Sequence, residues 1–154
     1  MPVIATASAA DLEDIKVMFR EYSALVTEAL CFQGFDRELA GLPGDYAPPT
    51  GTLLIARDGA AAVGCVALRR LDAGTGEMKR MYVREAFRGT GLGRRLALAI
   101  VDEAKRRGYR RVVLDTLPKL SAAIALYRDL GFRETGPYLP SPTPGALCFA
   151  LSLS

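Results

Sequence analysis

Leu12, Ile15, Phe19, Tyr22 and Val26 recur at spacings of three and four residues, which is one face of a helix. Ser8 ahead of them, with Asp11 in the first turn, predicts the cap, and the helix is expected to fade near Leu30. "VIATA" at 3–7 reads as a strand before it. Residues 34–51 are rich in Gly and Pro, with a short helix expected at 36–40. "TLLIA" (52–56) and "AVGCVALRRL" (62–71) flank Asp58-Gly59 and predict a hairpin. "AGTG" then turns the chain into the strand "EMKRMYV" (77–83). Leu92, Leu96, Ile100 and Ala104 mark a helix over 91–107 that stops at Gly108. "RVVLD" (111–115) is a strand, and "SAAIALYRDLGF" a helix with Ser121 as its cap and Gly131 past its end. "FRET" and "ALCFALSL" close the chain as strands. The order is β-α-(α)-β-β-β-α-β-α-β-β, an α/β fold of mixed α+β character, with no repeat and no second domain within 1–154.

Composition narrows the chemistry. At 154 residues, half of them hydrophobic, the chain is long enough for one real core and unsuited to disorder. No apolar run approaches the roughly 20 residues of a membrane span, and the first residues lack a secretory pattern, so no membrane partner is expected. Cys31, Cys65 and Cys148 are odd in number and widely spaced, which points to a reducing, cytoplasmic setting and away from a metal site. There is no histidine. Any catalysis must draw on carboxylates, tyrosine, cysteine, lysine or backbone groups.

The net charge of +3 conceals a division. Residues 79–111 hold eleven Lys/Arg and three Asp/Glu, so the remainder is acidic. Such a run is either a solvated face or a surface for an anion. Within it, "RGTGLG" (88–93) lies between a predicted strand and a predicted helix, where free N–H groups and the helix dipole hold anions. A dinucleotide fingerprint fails, because the sixth position is Arg94 or Leu96; a P-loop fails at Arg94 as well. What remains is R-x-x-G-x-G.

"EMKRMYVREAFRGTGLGRRLALAIVDEAKRRGYRRVVLDT" followed by "AAIALYRDLGF" resembles the Gcn5-related N-acetyltransferase (GNAT) family, in the order loop, helix, strand, Tyr-containing helix, over about residues 62–135. The resemblance implies a twisted mixed sheet of six to seven strands with flanking helices, and an acyltransferase using acetyl-CoA as co-substrate. It implies that Arg88, Gly89, Gly91, Gly93 and Arg94 meet the pyrophosphate, with Arg88 and Arg94 also within reach of the 3′-phosphate. Met81 and Val83 would offer backbone to the pantetheine arm, and Tyr127 would protonate the departing thiolate. A tyrosine near pKa 10 gives its proton to a thiolate near 8.5 at a cost of about 2 kcal/mol. Many relatives carry an asparagine seven residues before this tyrosine; here the position is Leu120, and either the adjacent Ser121 substitutes or the contact is absent.

An amine acceptor must lose a proton before it attacks, and without histidine a carboxylate is the natural base. Glu77 opens the central strand and matches a glutamate base of histone-type members; its other reading is an ion partner of Lys79 or Arg80. Asp115 is a second candidate. The acceptor side is expected from residues 22–50, with Phe32, Gln33, Phe35, Asp36, Glu38, Asp45 and Tyr46, and from Tyr138. These suit a small-molecule or peptide amine, or ordinary loop packing. A non-catalytic CoA-binding module and a nucleic-acid binder are the competing functions. The second is disfavoured because aromatics do not interleave with the basic run. A homodimer is left open.

Overall fold

The computed structural model describes residues 1–26, 35–140 and 144–153. Seven strands form one mixed sheet in the order β1-β2-β3-β4-β5-β7-β6. They are β1 (Val3–Thr6), β2 (Thr52–Asp58), β3 (Ala61–Asp72), β4 (Thr75–Val83), β5 (Arg111–Thr116), β6 (Arg133–Thr135) and β7 (Leu147–Ser152). The helices are α1 (Leu12–Leu25), α2 (Phe35–Ala40), α3 (Leu92–Arg106) and α4 (Ser121–Asp129). Every expected element is present, within a residue or two at its ends. Three short 3₁₀ turns, at Ala9–Asp11, Gly44–Tyr46 and Glu85–Phe87, are additions. The expected end of the first helix near Leu30 lies outside the described residues.

Alternation along β2 and β3 serves two helical layers at once. Leu53, Ile55, Cys65 and Ala67 pack under Ile15, Met18 and Phe19 of α1. Leu54, Ala56, Val66 and Leu68 pack against Leu92, Leu96 and Ile100 of α3. Both strands are therefore buried on both faces, which is why they read as nearly unbroken apolar runs. The Asp58-Gly59 hairpin forms as expected, with Gly59 at φ +61°. At the chain start, the Ser8 N–H and hydroxyl both donate to Asp11 Oδ2, at 2.8 and 3.0 Å. Ser121 is the first helical residue of α4 rather than its cap; Leu120 takes that place and supplies no side-chain bond.

Two irregularities position the site. The first is a bulge in β4. Cys65 pairs Tyr82 while Ala67 pairs Lys79, so β4 has one residue too many, and Arg80 sits there at φ +58°. The extra residue inverts the alternation: Met78 packs on the α3 face, yet Tyr82 packs on the α1 face. The second is a fork. β4 pairs β5 in parallel over only three residues, Thr75–Glu77 with Arg111–Val113. Beyond Glu77, β4 continues beside β3 alone and β5 beside β7 alone. The two facing edges separate next to the bulge, leaving backbone donors and acceptors without a strand partner there.

Candidate active site

A cleft of about 450 Å³ lies in this fork. Met78, Lys79, Arg80 and Met81 line it from β4; Leu114, Asp115 and Thr116 line it from β5. Tyr22 of α1 closes one side, and Leu120, Ala123 and Tyr127 close the other. Side chains from opposite faces of the sheet thus meet through the gap. Tyr127 belongs to the core on the α3 side, where its ring lies 5.8 Å from that of Phe132 and 6.5 Å from that of Phe149. Its hydroxyl has no hydrogen-bond partner among the described residues, and no unpartnered polar side-chain atom there is fully buried, so the hydroxyl opens on accessible space. Burial raises its pKa, which keeps the phenol protonated at neutral pH.

β4 runs from this cleft into the glycine loop. Gly89 (φ +79°) and Gly91 (φ +88°) hold conformations that other residues adopt at a cost. A Cβ on either would meet nothing within 4 Å, so the space before them is open. Gly91 caps α3 without any side-chain bond, leaving the N-terminal N–H groups of a 15-residue helix available. These features fit a phosphate group. Gly93 differs: its φ is ordinary, and an added Cβ would make normal contacts at 3.7 and 3.9 Å with Leu126 and Val83.

The loop arginines are less free than their sequence positions imply. Arg88 donates from Nε to the Val83 carbonyl at 2.9 Å and lies 5.8 Å over the Tyr82 ring. Arg94 pairs with Asp129 at the end of α4. Elsewhere in the basic segment, Arg80 forms two bonds to Glu38, and Arg84 two to Glu21. Lys105, Arg106 and Arg107 sit at the far end of α3, about 20 Å from the loop by helix rise. Arg80, Arg84 and Arg94 are therefore each folded against an acid from outside the basic run. At the loop itself Arg88 and Arg95 have no carboxylate partner among the described residues, and Arg94 has Asp129.

The two candidate carboxylates are placed differently. Glu77 has no exposed surface. Arg69 Nε donates to it at 2.7 Å, the Tyr138 hydroxyl donates at 2.6 Å, and Lys79 Nζ lies 3.8 Å away. Burial would raise its pKa, but the charges of Lys79 and Arg69 and these hydrogen bonds outweigh burial and hold it below the usual carboxylate range. Glu77 does not line the cleft; Asp115 does. Burial raises the Asp115 pKa, opposed by Lys79 and reinforced by Glu77. Burial lowers that of Lys79, against the pull of Glu77.

The remaining expectations divide. Met81 and Val83 lie on β4 beyond the fork, and Met81 reaches the cleft. Ser121 is exposed at the start of α4 and does not line it. Cys65 is buried, with its thiol pKa raised by burial; Cys148 is buried on β7. Cys31, Phe32 and Gln33 lie outside the described residues. Tyr46 packs edge-on against Phe19, and Phe35 lies 5.4 Å under Arg80, so both act in packing. Asp36 and Asp45 are exposed. Among the described residues, no cluster suited to a metal ion occurs, and no helix is long and apolar enough to cross a membrane.

The fold around this site is shared with known proteins. The model of the acetyltransferase (GNAT) family matches residues 17–132. The chain belongs to that family. It is 41% identical over 146 residues to an uncharacterised N-acetyltransferase of Schizosaccharomyces pombe, covering 94% of this chain and 90% of the relative. A putative acyl-CoA N-acyltransferase from Klebsiella pneumoniae shares the fold at TM-score 0.80 and 29% identity, covering 100% and 99% of the two chains. A putative acetyltransferase from Salmonella typhimurium, solved with its cofactor acetyl-CoA, aligns at TM-score 0.79 and 23% identity over 100% and 95%. The GNAT chain described here is an acyltransferase.

Two cleft residues were hard to find from sequence. Lys79 reads from sequence as a cation in a basic run and an ion partner for Glu77, and nothing there puts it on a cleft. Asp115 was ranked second because nothing in "RVVLD" says that β4 leaves β5 before reaching it. The available signal was a charged residue ending an otherwise apolar strand.

Proposed function

We propose that this GNAT enzyme moves an acetyl group from acetyl-CoA to a primary amine by direct attack. The observation that carries this reading is the pairing of Tyr127 and Asp115 across one cleft, at the fork of β4 and β5, on the strand that leads into the Gly89–Gly91 loop. Gly89, Gly91 and the first N–H groups of α3 would hold the pyrophosphate. The freed edge of β4 at Met81 and Val83 would take the pantetheine amides, which brings the thioester to the fork.

Asp115 takes the proton from the arriving ammonium. The neutral nitrogen then bonds to the acyl carbon as the carbon–sulfur bond breaks, and the nitrogen's second proton passes to the phenolate that Tyr127 becomes on protonating the sulfur. Tyr127 delivers its hydroxyl proton to the leaving sulfur, and holding both partners in one cleft supplies much of the acceleration. Glu77 stands behind as a fixed anion that balances Arg69 and Lys79. Cys65 is unsuited to a covalent role: it is fully buried and its thiol is held protonated.

Steady-state kinetics with both substrates varied tests direct attack. Intersecting double-reciprocal lines are expected. Parallel lines, with an acetylated enzyme by mass, would overturn it.

A further inference from the structure

Lys79 is a poorly satisfied charge of the sheet interior. Its side chain is 16% exposed. Its nearest anion, Glu77, lies at 3.8 Å, beyond hydrogen-bond range, and Glu77 is already bonded by Arg69 and Tyr138. No hydrogen bond from Lys79 Nζ occurs among the described residues, and no unpartnered side-chain polar atom there is fully buried. The ammonium therefore turns its donors to the cleft it lines. Asp115, on the neighbouring strand, lines the same cleft; no other described residue hydrogen-bonds its carboxylate, and no ion pair joins it to Lys79. A half-desolvated cation and a half-desolvated anion, close but not paired, are costly to keep unless a ligand bridges them.

We infer that the acceptor is a free amino acid, whose ammonium meets Asp115 and whose carboxylate meets Lys79. The inference rests on the acetyl-transfer reading and names the acceptor of that same cleft. Arg80 also lines the cleft, but its guanidinium is bound twice by Glu38, which leaves Lys79 as the cation available for a carboxylate. A peptide N-terminus or a simple alkylamine offers Asp115 its ammonium and leaves Lys79 unmatched. A free amino acid satisfies both ends; its ammonium gives one proton to Asp115 before attack and its second, as the amide forms, to the Tyr127 phenolate.

The test is thiol release from acetyl-CoA with the twenty amino acids, their amides and the matching decarboxylated amines, alongside calorimetry with acetyl-CoA alone. Acetyl-CoA binding, with kcat/KM for at least one free acid ten-fold or more above its amide, is expected. Lys79→Met should bring that ratio to near one, chiefly through KM, and Lys79→Arg should retain it. If acetyl-CoA binds and the acids are no better than their amides, or neither is turned over, the acceptor inference is wrong and the acyltransferase reading stands. A preference that survives in Lys79→Met refutes the role given to Lys79. Failure to bind acetyl-CoA removes the acetyl-transfer reading and this inference with it.

Discussion

Tyr138 donates a 2.6 Å hydrogen bond to Glu77 across 61 positions of sequence, tying the segment after β6 to the middle of the sheet. The Glu77 carboxylate is thereby anchored beside Arg69 and Lys79. Removing its charge takes from Arg69 its hydrogen-bonded anion and from Lys79 its ion-pair partner, and Glu77→Gln should cost about 3 kcal/mol of stability at neutral pH. Tyr138→Phe should cost about 1.5–3 kcal/mol, the range for a hydrogen bond to a charged group. The folded pKa of Glu77 is depressed, so its contribution is complete above about pH 4.3 and is lost as pH falls through the folded value. Denaturant titrations at pH 7 and in the acid range should show the wild type losing stability that Glu77→Gln has already lost.

Asp115 must be ionised to accept a proton, and burial raises its pKa above the ordinary value of about 3.9. The acid limb of kcat/KM should therefore lie above that value, with rate rising as pH rises through it. Asp115→Asn should remove this limb and lower kcat/KM at neutral pH by on the order of 10²–10⁴. Part of the rate should return at high pH, where free amine accumulates. Glu77→Gln should keep the limb. A pH–rate profile in which Glu77→Gln loses it and Asp115→Asn does not would exchange their roles.

The glycines of the loop should respond in two ways. Gly91→Ala places a Cβ at φ +88°, at a cost of about 1–2 kcal/mol in stability. Gly91→Glu adds a negative charge at the helix N-terminus and should abolish acetyl-CoA binding by calorimetry. Gly93→Ala sits in helical backbone with room for the methyl, so it should be neutral or stabilising by up to about 1 kcal/mol. Any loss of acetyl-CoA affinity in that variant then reports close approach of the ligand.

Tyr127→Phe keeps the ring against Phe132 and Phe149 and deletes only the hydroxyl. Acetyl-CoA affinity should stay within a few-fold, while turnover falls by on the order of 10². Wild-type turnover in this variant would assign protonation of the sulfur to water.

What could be read from the sequence was local. The period of α3, the glycines before it and the position of Tyr127 are contained in short windows, and the structure has them where expected. The fork depends on a bulge at Arg80, an arginine in a left-handed conformation inside a strand, which no composition rule flags. The bulge reverses which residues of β4 face α1, and the separation of β4 from β5 beside it opens the cleft that Lys79 and Asp115 line. Which cations of the basic run stay available could not be read for a related reason. Pairs such as Arg84 with Glu21 and Arg80 with Glu38 close only after folding, 63 and 42 positions apart.

The most direct measurement counts products. The protein, acetyl-CoA and a pool of free amino acids are incubated together, and free thiol and N-acetylated amine are quantified in the same samples. Equal amounts of both are expected, rising with enzyme and falling about 100-fold in Tyr127→Phe. Thiol without acetylated amine, or equal yields from wild type and both the Tyr127→Phe and Asp115→Asn variants, would contradict acetyl transfer at the β4–β5 fork.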